Sequence, residues 1–81
     1  MHRFRIDATP DPGSLPRIAG FFAQRAIVPS TMRMRHLREH LRVEIAVAGL
    51  DPPQAAILAA KLGEMVMVIE VELTAELAAA A

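Results

Sequence analysis

The sequence predicts an α+β fold in which a four-stranded antiparallel sheet carries two helices on one face. Three observations predict it. Apolar residues recur at every second position in four separate runs, two intervening stretches repeat at helical spacing behind proline-containing turns, and the elements follow in the order strand, helix, strand, strand, helix, strand. In that order the two crossovers, both right-handed, bring both helices to the same side of the sheet.

In the first strand Phe4, Ile6 and Ala8 alternate with Arg3, Arg5 and Asp7, the period of a strand buried on one face. Turn residues follow from Thr9 to Gly13. Leu15, Ile18, Ala19 and Phe22 then share a helical face, with Ser14 as cap and Pro16 in the first turn, which predicts a helix over residues 14–25. A second strand over residues 27–36 sets Met32 and Met34 against Arg33 and Arg35, and Pro29, lacking a donor, places it at an edge. The third strand is the clearest, with Leu41, Val43, Ile45 and Val47 alternating with Arg42, Glu44 and Ala46 after a short hairpin connection at residues 37–40. A second helix is expected over residues 54–62, with Gly63 as its stop signal. The fourth strand is expected to place Met65, Met67, Ile69, Val71 and Leu73 in the core. This divides the chain into a domain over residues 1–73 and a frayed tail over residues 74–81, too short an alanine run to hold a helix without packing.

The face away from the helices is then expected to carry Arg3, Arg5, Arg33, Arg35, Arg42, Glu44, Glu70 and Glu72, with an apolar end at Val66 and Val68. Opposite charges can pair across neighbouring strands there, and the apolar end would seek a partner.

Composition narrows the function classes. The chain has 81 residues, 53% of them hydrophobic but only 4% aromatic, so its core is aliphatic and the chain is too apolar for disorder. A domain of this size buries only roughly 60% of its unfolded surface, which favours association with a partner. The absence of cysteine excludes disulfides, thiolate metal sites and cysteine nucleophiles. No apolar run reaches the roughly 20 residues that cross a bilayer, and the amino terminus alternates where a signal peptide would be continuously apolar. The expected location is cytoplasmic, with no membrane partner.

The stretch most able to carry function is Asp11-Pro12-Gly13-Ser14-Leu15-Pro16-Arg17-Ile18, a tight turn running straight into a helix. Gly13 permits positive φ and close approach of a ligand, and the first amides of the following helix, pointing outward unpaired, favour a carboxylate or phosphate. A connection built from conventional turn residues is the plainer alternative.

The words Pro-Gly-x-Leu-x-Arg-Ile in this stretch, Phe22-Ala23-Gln24-Arg25 after it, and Lys61-Leu62-Gly63-Glu64-Met65-Val66-Met67-Val68 near the end resemble the ACT domain. Within that family they are most similar to the short small regulatory subunit of acetohydroxyacid (acetolactate) synthase, over most of the chain. The resemblance implies the ferredoxin-like βαββαβ fold and a non-catalytic regulatory role in branched-chain amino-acid biosynthesis. The implied partner is the catalytic subunit, which would condense 2-oxo acids with thiamine diphosphate, flavin and magnesium; this chain would hold no cofactor itself. It also implies a homodimer, with the second strand and first helix of each copy side by side, and an amino-acid effector held by loop amides. Carried over by position, the effector-binding residues are Asp11, Gly13, Ser14, Leu15 and Val28. Pro10 and Val28 depart from the pattern, standing where valine-sensitive small subunits carry asparagine in the loop and in the wording Arg-Gly-Phe/Tyr-Asn-Ile. Without those two polar side chains the site is expected to discriminate valine poorly.

Other readings carry less. A stand-alone amino-acid sensor acting on another protein is the alternative of a different class. The run Met32-Arg33-Met34-Arg35-His36-Leu37-Arg38 is rich in arginine, but zero net charge and few aromatic residues argue against nucleic acid. His36 and His40 have the separation of a helical metal pair but fall around a hairpin with no third ligand near. Ser14 and Ser30 lie in no recognisable catalytic motif. The chain is read as having no active site of its own.

Overall fold

The computed structural model describes residues 1–75. Its elements are β1 (His2–Ala8), α1 (Ser14–Ala23), β2 (Thr31–His36), β3 (Leu41–Val47), α2 (Pro52–Gly63) and β4 (Val68–Ala75). All neighbouring strands are antiparallel, in the spatial order β2-β3-β1-β4, which leaves β2 and β4 at the edges. This is the ferredoxin-like arrangement that the strand and helix periods predict.

One face of the sheet is the core. Phe4, Ile6 and Ala8 of β1 lie beside Ile45, Val43 and Leu41 of β3, and Ile18, Phe21, Phe22, Ala55, Leu58 and Leu62 close over them from the helices. Phe22 meets Phe4 edge-on at 5.7 Å and Phe21 at 5.2 Å, an arrangement that aligns ring edges with ring faces. Truncating the buried Phe22 to alanine would cost about 3–5 kcal/mol, a large part of the stability of so small a domain.

The helices end by identifiable chemistry. At the start of α2 Asp51 Oδ1 accepts from Gln54 N–H at 2.8 Å and Gln54 Oε1 accepts from Asp51 N–H at 3.2 Å, a reciprocal capping box. Behind α1, Ile27 N–H donates to Phe22 O and Ala26 N–H to Ala23 O, both at 3.0 Å, closing the helix as a Schellman motif. The motif requires a left-handed residue, and Ala26 supplies it with φ of 57°.

Several element boundaries differ from the sequence expectation. The Schellman closure stops α1 at Ala23, and the capping box with Pro52 and Pro53 in the first turn starts α2 two residues early. Pro29 belongs to the connection before β2, which begins only at Thr31. β4 begins at Val68 instead of Met65 and continues through Thr74 and Ala75, the first two residues of the expected tail; residues 76–81 lie outside the described residues.

The fourth strand also corrects the expected open face. Asp7 pairs with Glu70 but Ala8 pairs with Val68, so Ile69 is an extra residue in a β-bulge. The bulge exchanges the faces of two residues: Val68 packs against the core and Ile69 is 60% exposed, while Met65 and Met67 pack against the core as expected and Val66 stands 97% exposed in the turn, off the sheet face. No apolar end of the open face exists at Val66 and Val68. Its charged part is as expected, in registered rows of Arg33, Glu44, Arg5 and Glu72, and of Arg35, Arg42, Asp7 and Glu70. Arg5 lies 3.6 Å from Glu70 and 3.4 Å from Glu72. Burial would raise the Asp7 carboxyl, but the hydrogen bond and charge of Arg42, with His40 and Arg5 behind, outweigh it and hold the group below its ordinary range.

Candidate effector site

The loop between β1 and α1 is folded around its own carboxylate. Asp11 Oδ1 accepts from Gly13 N–H at 2.7 Å, while Asp11 O accepts from Ser14 N–H at 2.9 Å. Thr9 O accepts both Asp11 N–H and the Ser14 hydroxyl, each at 2.8 Å, and Thr9 N–H reaches Met67 O at 2.9 Å, tying the loop to the turn before β4. The loop is therefore pinned at both ends.

These bonds change three expectations. Ser14 does not cap α1: Gly13 holds the N-cap position, with no side-chain cap, and the buried Ser14 hydroxyl bonds backward into the loop. Gly13 has an ordinary φ of −81°, so its value is space; a Cβ there would sit 3.2 Å from Asp11 Oδ1. Nor do the Gly13 and Ser14 amides point outward for an anion, because Asp11 already occupies them and Pro16 has no N–H at all. The carboxylate expected of a ligand is supplied by the chain.

Two cavities flank this loop. The first, about 410 Å³, is lined by Pro10, Asp11, Pro12, Leu15 and Pro16 from the loop and helix, and by Met34, His36 and Leu41 from β2 and β3. The second, about 250 Å³, opens on the opposite side between Thr9, Asp11, Gly13, Ser14, Arg17, Val66 and Met67. Asp11 belongs to both. Of the residues expected to bind an effector, Asp11 and Leu15 line the apolar cleft, whereas Gly13 and Ser14 line the opposite cavity. Val28 lines neither, standing 88% exposed in the connection that precedes β2.

Met34, His36 and Leu41 were not foreseen as lining residues. Alternation along β2 puts Met32, Met34 and His36 on the helix side of the sheet, where period two alone would bury the methionines in the core. The helices cover β1, β3 and β4 instead, so all six residues of β2 are exposed and Met34 forms one wall of an open cleft. Its chemistry is that of an apolar trough with one carboxylate and one imidazole at the rim. Asp11 Oδ2 makes no hydrogen bond among the described residues. Among those residues no group of three or more histidine, aspartate or glutamate side chains could hold a metal, and no helix is long and apolar enough to cross a membrane.

Comparison with solved structures finds the same fold at low identity. The crystal structure of the ACT domain from GTP pyrophosphokinase of Chlorobium tepidum is 16% identical with a TM-score of 0.77, covering 90% of this chain and 95% of that one. Its solution structure is 17% identical with a TM-score of 0.80 over 94% and 86% of the two chains. The C-terminal domain of the MgtC protein from Mycobacterium tuberculosis is 18% identical with a TM-score of 0.66 over 93% and 85%. No curated protein sequence matches the chain. The family model described as ACT-like domain matches residues 1–80, almost the entire sequence, and the chain belongs to that family.

Proposed function

We propose that this ACT-like domain is a non-catalytic regulatory subunit that binds and activates the catalytic subunit of acetohydroxyacid synthase. The observation that carries the regulatory reading is the apolar cleft between the Asp11 loop and β2, placed beside an uncovered sheet edge. The choice of enzyme is supported by the ordered motifs around Gly13, Arg25 and Lys61, which resemble that family's small subunit. Activation requires that the subunit bind the active conformation of its partner more tightly than the inactive one.

In this reading the cleft receives an amino acid with an apolar side chain. Leu15, Met34 and Leu41 accept the side chain, and the free oxygen of Asp11 accepts the ammonium. The missing asparagines at Pro10 and Val28 leave few polar groups to tell one branched side chain from another, so the response to valine is weak. The test is acetolactate formation by the catalytic subunit of the same organism, with and without this protein, and with valine, leucine or isoleucine added. Activation supports the proposal; unchanged rate and no association overturn it.

The alternative is a stand-alone amino-acid sensor for another protein, favoured by the same cleft being formed within a single chain. Tight amino-acid binding by the isolated protein, without any effect on acetolactate formation, would select it.

A further inference from the structure

A groove of about 560 Å³ runs between the two helices. Arg17, Gly20, Phe21 and Arg25 form its wall on the side of α1, and Lys61 and Glu64 at the end of α2 form the other. Leu15 turns a different face of α1 toward β2, where it lines the apolar cleft. The groove shares only Pro16 with that cleft and takes no residue from β2, so a second copy lying beside β2 leaves it open.

Gly20 is the informative residue. It stands inside α1 with helical backbone, where glycine is markedly less favourable than alanine. A Cβ there would find no atom outside its own stretch of helix within 4 Å. Neither backbone conformation nor packing calls for glycine, and what its missing side chain preserves is the floor of the groove.

The charges along the groove are unbalanced as well. Arg17, Arg25 and Lys61 share it with one carboxylate, Glu64, and none of the four makes an ion pair among the described residues. Arg17 and Arg25 are eight positions apart, which places them roughly 12 Å from each other along the helix axis. Arg25 is held in place: its Nη1 donates to Phe21 O at 2.9 Å and its guanidinium carbon lies 3.8 Å from the centre of the Phe21 ring. Its side chain is exposed beyond that contact, which leaves the outer face of the guanidinium to stack on another planar group.

We propose that this groove binds a nucleoside diphosphate. The phosphates lie at Arg17 and Lys61, the base stacks on Arg25, the sugar passes over Gly20, and Glu64 accepts from a sugar hydroxyl. Two arginines so far apart suit an elongated anion with a planar end, and the lone carboxylate between the cations disfavours a bare polyanion. The site does not rest on the acetohydroxyacid synthase reading.

The probe is ADP, titrated calorimetrically into the full chain without magnesium, beside pyrophosphate and adenosine. ADP should bind about tenfold more tightly than either and should weaken as salt rises. Gly20→Leu, shown to be folded by its circular dichroism, should weaken ADP about tenfold by filling the floor. Gly20→Ala should raise the melting temperature of the free protein by about 4 °C. Lys61→Gln removes a cation that lines neither cavity at the Asp11 loop, and Arg25→Lys keeps the charge but not the plane; each should weaken ADP about fivefold. No ADP binding, or pyrophosphate bound as tightly as ADP, overturns the proposal. So does undiminished affinity in Gly20→Leu or Lys61→Gln, or a lower melting temperature in Gly20→Ala, which would make the glycine a requirement of packing.

Discussion

Asp7 and Arg42 face each other across β1 and β3, and Arg42 Nε donates to Asp7 Oδ1 at 2.9 Å, with His40 Nε2 3.3 Å from the same oxygen. The pair lies in the middle of the open face, where Asp7 is buried although its neighbours are charged. The arginine therefore offsets the cost of sequestering the carboxylate.

Stability should fall in acid because of that pair. The folded Asp7 carboxyl titrates below its ordinary value of 3.8, so its contribution is complete above that pH and is lost as pH falls through the lowered folded value. Urea denaturation between pH 7 and pH 2 should show this loss, and Asp7→Asn should be less stable at neutral pH with a flatter acid limb. An unchanged acid limb would show that the pair does not titrate with folding.

Asp11→Asn separates turn formation from ligand recognition. An asparagine oxygen can still accept from Gly13 N–H, so the melting temperature should change little, while the charge offered to an ammonium is removed. Calorimetric titration with leucine, isoleucine and valine should show weaker binding by about tenfold, in line with losing a charged hydrogen bond. Undiminished affinity would place the ammonium elsewhere.

Ala26→Gly should stabilise the protein. A left-handed alanine costs about 1–2 kcal/mol, and the added freedom of glycine in the unfolded chain returns about 0.4–1 kcal/mol of that, leaving a net gain of about 0.5 kcal/mol. Chemical denaturation would reveal it as a higher midpoint at constant slope. A lower midpoint would mean that the helix end tolerates alanine without strain.

Asp51→Ala removes the side-chain acceptor of the capping box at α2, leaving the bond from the backbone N–H of residue 51 to Gln54 in place, and should cost about 1 kcal/mol, whereas Asp51→Ser should retain most of it. Denaturation midpoints of the two variants make the comparison; equal losses would assign the effect to the charge of Asp51.

The order and pairing of the elements were legible because Phe4, Ile6, Val43 and Ile45 repeat with period two and Ile18 and Phe22 lie one helical turn apart. Element ends were less legible, since they depend on hydrogen bonds such as Ile27 N–H to Phe22 O that leave no periodic trace. In β4 only Val68 and Ile69 depart from the expected alternation, for a related reason: Met65 to Leu73 alternates without a break in sequence, and only the partner strand reveals that Ile69 has no opposite number. At the candidate site Asp11 and Leu15 were legible from the turn-helix junction. Met34 and His36 were not, because period two assigns a residue to a face but does not say whether a helix covers it.

The bulge at Ile69 has an evolutionary consequence. A single inserted residue there shifts the pleat by one step, so removing Ile69 would place Val68 in the regular ladder position and leave the core side chains where they are. Most one-residue deletions in a strand turn every following side chain to the wrong face. A chain of this fold can therefore lose one residue at this position and keep the same interior, a tolerance that an ordinary strand position does not have.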